Sequence, residues 1–381
     1  MKKGYYICMG SGGGSSGVNK KVHMHVAELN KHFLTELVWV PKRERGIFGK
    51  VWGLLFWVSN KYDYERLFDQ LSSPDFLYIR YPFADKKMLV FLKRIKETYA
   101  QCKIIIEIPT YPYDREYWYS IDFFFLLKDM HYRKQLKQYV DRFVTYSLEM
   151  TIWDVPTIKT INGTDVHALK MIQPVERSGN EIHLIAVAML QKHHGFERMI
   201  EGIKRYYEGK DTDKLRRIVF HIVGDGPEKG KYEKLVRNYA LSDQVVFHGT
   251  LSGEKLDEVY NQADIAVISL GLYKINMDYI STLKAGEYLA KGMPVIYACQ
   301  EGALTENYSY CLKVPNDGSP LDIDKIICFY DQIYGGSFEK KIETIKSIRK
   351  LAENIVGMDK VMQPVVQYIK DEPGKKEFKE G

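Results

Sequence analysis

Strand-like and helix-like stretches alternate along this chain, stop at a polar break near its middle, and then begin again. Apolar runs at residues 5–9, 36–40, 76–80, 103–108 and 142–146 read as strands with helical segments between them. Val22, Val26, Leu29 and Phe33 fall on one face of a helix over residues 18–33. The break lies between Pro156 and Asn180, where "IKTINGTDV" gives way to the polar "PVERSGN". After it, residues 182–188 read as a strand. Phe196, Met199, Ile200, Ile203 and Tyr207 form a helical stripe, and a strand over 217–223 ends in Gly-Asp-Gly-Pro. Strands at 245–248 and 265–269 flank a helix at 254–262. From Ser281, "STLKAGEYLAKGMPVI" reads as a helix, a glycine stop and an apolar strand. Such alternation implies α/β domains, each with a parallel sheet wrapped by helices.

The chain has 381 residues, more than the roughly 250–300 that one core supports. Two domains are expected, residues 1–172 and 173–356. Net charge is +6, too weak for a nucleic-acid binder but suited to anionic small molecules or an anionic membrane surface. Five scattered cysteines without CxxC spacing argue against a disulfide framework or zinc site and for a reducing compartment. The start, MKKGYYICMG, reads as a first strand rather than a signal peptide. No apolar run approaches the roughly 18–20 residues that span a bilayer. A cytoplasmic protein is expected.

Three loops follow strands and open helices. "GSGGGSSG" holds G-x-G-x-x-G at Gly12, Gly14 and Gly17, with Gly13, Ser15 and Ser16 between them. Such a loop lets a ligand approach the backbone, and the helix N-terminus favours phosphate. The next strand ends Val40-Pro41-Lys42-Arg43, without the acid that holds NAD ribose. An NADP-linked oxidoreductase therefore stands as one reading. The "VGDGP" turn brings Gly224 and Gly226, which suit either a ligand or a plain turn. "LQKHHGFER" brings Lys192, His194 and Arg198 to a strand end, where cations meet a diphosphate. Its two adjacent histidines do not make a metal site without further ligands.

"INGTDV", "LQKHHG", "VGDGPEKGKYEKL", "VVFHGTLSGEKLDEVYNQADIAVIS" and "EYLAKGMPVI" occur in this order across residues 154–297. Together they resemble the retaining glycosyltransferases of the GT-B fold, family 4 type. The resemblance implies two Rossmann-like domains facing a cleft. The first would bind the acceptor and the second a nucleotide-sugar donor, a UDP- or GDP-sugar. A final helix near 357–370 would return to the first domain. It also implies that Glu287 bonds the donor ribose hydroxyls, while Lys284 and the amides around Ser281 and Thr282 meet the pyrophosphate. His248 and Gly249 join the donor site through the "FHG" motif. No cofactor or metal is implied.

The chain departs from that pattern in three places. The family's earlier glutamate falls on Tyr279, with Asp278 the nearest acid. Its strand-loop Arg and Lys fall on Met189 and His194, so Lys192, His194, Arg198 and Lys284 would carry the diphosphate charge. A histidine common after a first-domain strand is replaced by Pro109, followed by Thr110, Tyr111, Tyr113 and Asp114, which implies a different acceptor or donor pocket. These departures keep a GT-B-like binding scaffold without turnover among the readings.

Residues 41–62 set Lys42, Arg43, Arg45 and Lys50 beside Trp52, Leu54, Leu55, Phe56 and Trp57, and residues 123–139 repeat the mixture. Such stretches fit peripheral contact with a membrane as well as ordinary amphipathic helices. The expected activity is transfer of a sugar, with retention, to a lipid-linked or glycan acceptor in capsule, exopolysaccharide or other surface-glycan synthesis.

Overall fold

The computed structural model describes residues 1–10, 17–41, 62–114, 123–177, 180–211 and 215–371. The chain divides into two compact units, Met1–Ile161 with Met358–Gly381, and Asn162–Gly357.

In the first unit, the strands are β1 (Lys3–Met9), β2 (Leu34–Val40), β3 (Phe76–Arg80), β4 (Lys103–Ile108), β5 (Arg142–Thr145), β6 (Thr151–Ile152) and β7 (Val155–Lys159). They lie in the order β2-β1-β3-β4-β5-β7-β6, parallel except for the last pair. Every residue of β4 is buried, as expected of a central strand covered on both faces. The helices are α1 (Gly17–Asn30), α2 (Tyr64–Asp69), α3 (Lys86–Thr98) and α4 (Phe123–Tyr132). Asp85 starts α3 by accepting the Met88 amide at 2.8 Å. The last helix, α11 (Met358–Lys370), also belongs here. Its Met358, Val361, Met362, Val365, Val366 and Ile369 pack with Val22, Leu29 and Phe33 against β1 and β3. Lys2 and Lys103 bond the Ile369 and Tyr368 carbonyls, each at 2.5 Å, satisfying acceptors that a helix end leaves open.

The second unit contains β8 (Glu181–Val187), α5 (Glu197–Tyr207), β9 (Arg217–Val223), α6 (Lys229–Asn238), β10 (Val245–Gly249), α7 (Gly253–Gln262) and β11 (Ile265–Val267). It continues through β12 (Tyr279–Ile280), α8 (Leu283–Ala290), β13 (Val295–Tyr297), β14 (Gln300–Glu301), β15 (Cys311–Lys313), α9 (Ile323–Tyr334) and α10 (Phe338–Ile355). The main sheet is wholly parallel, in the order β10-β9-β8-β11-β13-β15. Chain order reverses between β8 and β11, and ligands of open α/β sheets bind outside the strand carboxyl ends at such a switch. β12 and β14 form a separate parallel pair.

The units part ten residues or so earlier than the expected boundary at 172. Asn162 donates its amide to Ser281 Oγ at 2.8 Å, Thr164 to the Val356 carbonyl at 2.8 Å, and Ile172 to the Lys291 carbonyl at 3.0 Å. These bonds to the second unit satisfy a polar segment that has no strand of its own. Among the described residues no helix is long and apolar enough to cross a membrane.

Candidate functional site

The loops at the carboxyl ends of β8, β9 and β11 are bonded to one another. Leu190 donates to the Asp225 carbonyl at 2.8 Å, and Glu228 to that of Leu190 at 3.1 Å. Gly224 and Gly226 take φ of +131° and +154°. A Cβ on Gly224 would meet the Ala188 carbonyl at 1.8 Å, and one on Gly226 the Leu190 carbonyl at 2.5 Å. These glycines are required by backbone packed on backbone. Gly224 also donates to the Gly249 carbonyl at 2.7 Å, joining the ends of β9 and β10.

The loop after β8 carries Lys192 and His194 in a 3₁₀ turn. Lys192 is exposed. His194 Nδ1 accepts the Gln191 amide at 3.0 Å, and burial pushes its pKa down to about 4, so it brings no cation at neutral pH. Arg198 departs from the expected diphosphate role. It is 1% exposed and donates to the carbonyls of Ser319 (2.7 Å), Leu270 (2.6 Å) and Pro315 (2.9 Å). A guanidinium fills its fork with planar acceptors, and here three carbonyls supply them. It fastens the loops after β11 and β15 to α5. Glu197 beside it pairs with Lys231 at 3.0 Å and with Lys274.

The N-terminus of α8 gathers the other candidates. Thr282 caps the helix by accepting the Ala285 amide at 3.1 Å. Ser281 is held through Oγ and its carbonyl by Asn162, at 2.8 and 2.6 Å. Lys284 and Glu287, one turn apart and half-buried, lie 2.6 Å from each other. The neighbouring Tyr288 is buried and accepts the Val187 amide at 3.0 Å, which ties α8 to the end of β8. Tyr279 and Ile280 are stitched to Gln300 and Glu301 by the β12–β14 pair. Asp278 is exposed and meets Asn316 at 3.5 Å.

A row of histidines that the sequence reading did not anticipate crosses the sheet. Glu181 Oε2 lies 3.2 Å from His183 Nε2, His183 Nδ1 lies 2.9 Å from His221 Nε2, and His221 Nδ1 lies 2.9 Å from His248 Nε2. A carboxylate only accepts, so His183 donates from Nε2. Each next ring then donates from Nε2 to the one before it. Burial lowers all three pKa values, that of His221 to about 3. His248 is thus oriented from within the sheet. The strands place these residues far apart in sequence, and no local spacing announces them.

In the first unit, Gly17 opens α1 and Thr110 is exposed after β4. Gly12, Gly13, Gly14, Ser15 and Ser16 lie outside the described residues, as does most of the basic-aromatic stretch 41–62. Tyr113 differs from the expected acceptor contact: its hydroxyl donates to the buried Asp129 at 2.5 Å. In the second basic-aromatic stretch, Arg133 forks onto Asp114 at 2.5 and 2.9 Å and Lys137 pairs with Asp154 at 2.9 Å, while Phe124 is exposed. Glu107 at the end of β4 is fully buried against Lys21 (3.1 Å) and Arg80 (3.0 Å), and accepts from Tyr6 and Tyr78. Burial opposes its charge, but the two cations hold its pKa well below the usual range.

Residues 170–305 match the family model of glycosyl transferases group 1. The match runs from before β8 to just past β14, over the loops and helix described above. No curated protein sequence matches the chain. Solved structures with the same fold cover nearly all of it. Anabaena HepE in complex with UDP is 12% identical over 97% of this chain and 99% of its own, with a TM-score of 0.62. Sucrose-phosphate synthase from Thermosynechococcus elongatus is 15% identical over 97% and 98%, also at 0.62. The lipopolysaccharide outer core galactosyltransferase WaaB is 12% identical over 96% and 99%, at 0.58. The fold is α/β with two Rossmann-like units of mostly parallel strands, that of the GT-B glycosyltransferases.

Proposed function

We propose that this chain is a retaining glycosyltransferase that moves a sugar from a nucleoside-diphosphate sugar to an acceptor hydroxyl. The observation that carries the reading is the pair Lys284 and Glu287. It stands half-exposed at the N-terminus of α8, inside the stretch that matches group 1 glycosyl transferases. Glu287 accepts the ribose hydroxyls, since one carboxylate takes two donors. Lys284, the amides at the start of α8 and Lys192 meet the diphosphate and stabilise the charge of the leaving nucleoside diphosphate. No protein nucleophile is assigned. The acceptor's proton passes to the leaving phosphate oxygen. HepE, which shares the fold, binds UDP, and this supports a UDP-sugar as the first donor to try. Retention is inferred from the five ordered motifs.

The acceptor is proposed to bind the first unit and to be a lipid-linked or other surface glycan, with the protein working in the cytoplasm at the inner face of the membrane. WaaB, a lipopolysaccharide galactosyltransferase of the same fold, lends support. Calorimetry with UDP- and GDP-sugars tests the donor site, and the anomeric NMR signal of the product tests retention. Failure of every nucleotide-sugar to bind would remove the reading.

A further inference from the structure

Among the described residues, no cation pairs with the buried carboxylate of Glu301. Its residue is 3% exposed, at the end of β14. Oε1 accepts the Thr282 amide at 2.7 Å and the Thr282 hydroxyl at 3.4 Å, and Oε2 accepts the Ala303 amide at 2.7 Å. The titratable groups that feel its charge are Tyr279 on β12, Tyr297 on β13, Cys299 between β13 and β14, and Cys311 on β15. None of them is positive. Asp278 and Lys313, of opposite charge, both act on Cys299, and Lys313 is paired with Glu306 at 2.6 Å. On α8 the nearest charges in sequence, Lys284 and Glu287, are paired with each other. A buried carboxylate without a positive partner is costly, and proteins keep such groups for a reason. Burial pushes the pKa of Glu301 up to about 7, against the pull of the Thr282 and Ala303 amides.

Its position supplies a reason. The amide it accepts belongs to Thr282, whose hydroxyl in turn caps α8 at Ala285. Glu301 therefore stands behind the helix N-terminus that the donor reading gives to the diphosphate.

We propose that Glu301 is a positioning residue that serves as an internal anion at the N-terminus of α8, and that it takes up a proton when a diphosphate binds there. The proposal rests on the donor-site reading above. Two anions at one helix end repel each other, most strongly where solvent is excluded. Protonation removes the repulsion without releasing the anchor. The neutral acid still accepts both amides through its free lone pairs and donates its new proton to Thr282 Oγ1. The proton comes from solvent, one O–H bond forms, and no other bond changes. Ligand binding thus raises the pKa of Glu301. Donor affinity then falls as pH rises above that of the free group, by up to about tenfold per pH unit.

The experiment is calorimetry of the full chain with UDP-glucose and GDP-mannose in buffers of different ionisation heat. The diphosphate diesters of these ligands do not titrate near neutral pH, so any proton taken up belongs to the protein. Uptake should reach about three-quarters of a proton per ligand near pH 7.5, approach one above about pH 8, and fall towards zero below about pH 6. Uridine, which has no phosphate, should bind without uptake. Glu301→Gln should still bind the donor but lose the uptake. Binding by the wild type without uptake would overturn the proposal and leave the donor site standing. Uptake that survives in Glu301→Gln would assign the proton elsewhere and overturn it too. If neither nucleotide-sugar binds, the donor-site reading itself fails. The 13C carboxyl signal of Glu301, titrated in free and donor-bound wild type, gives the answer without a variant. Its midpoint must rise on binding, and an unmoved midpoint overturns the proposal.

Discussion

Lys284 Nζ lies 2.6 Å from Glu287 Oε2, one turn apart on α8. Both side chains keep a quarter to a third of their surface exposed, at 35% and 25%. An ion pair in such a setting contributes at most about 1 kcal/mol to stability. Its two members are therefore held in place without being needed by the fold. Under the proposed donor reading, the ligand would exchange the internal pair for contacts with its own phosphate and hydroxyls at little cost to the protein.

Glu287→Ala should weaken UDP-sugar binding by about 2–3 kcal/mol, because a charged acceptor of two hydroxyls is removed. UDP should weaken with it, since the proposed contact is to ribose. The melting temperature should hardly move. Unchanged affinity for both ligands in calorimetry would cancel the ribose assignment.

Lys284→Ala separates phosphate from nucleoside. The variant should lose much more affinity for UDP than for uridine, and the loss should shrink in high salt, as screening acts on half-exposed charges. Equal losses for UDP and uridine would place Lys284 away from the phosphates.

Arg198→Met should act on stability first. The side chain is 1% exposed and holds three carbonyls, that of Leu270 fully buried, and leaving a buried acceptor without its donor costs about 1–3 kcal/mol. Urea denaturation should show the loss in the second unit. Full stability with selective loss of UDP binding would return Arg198 to the phosphate site.

The histidine row makes the second unit acid-sensitive. His221 is 4% exposed, and burial lowers its pKa to about 3. The unfolded chain takes a proton near pH 6.5, while the folded protein does not. Stability is therefore whole above about pH 6.5 and is lost as pH falls towards 3, by about 2 kcal/mol at pH 5 from His221 alone. Denaturation midpoints of wild type and His221→Gln, measured from pH 7.5 to 5, test this. Parallel profiles would mean that the row titrates normally.

Much of the fold could be read from spacing. Alternating apolar runs define β1, β3, β4, β8 and β9, because strands covered on both faces must be apolar throughout. The return of α11 followed only from the family resemblance. Its apolar stripe at Met358, Val361, Met362, Val365 and Ile369 packs against the first unit. Lys284 and Glu287 were named through the same resemblance, and their pairing across one helical turn came only with the structure. Tertiary structure decided the rest, since burial and long-range partners leave no local mark. Arg198 looks like a free cation at a helix start, and only the carbonyls of Leu270, Pro315 and Ser319, far along the chain, commit it elsewhere. Tyr113 is taken by Asp129 in the same way. Gly224 and Gly226 announced a close approach, but the sequence could not say that the partner is the backbone at Ala188 and Leu190. Glu301 sits in the mixed polar and apolar stretch "CQEGALTE". Its burial and its hold on Thr282 arise only when β14 pairs with β12, because a charge's environment is made by residues that are distant in sequence and adjacent in space.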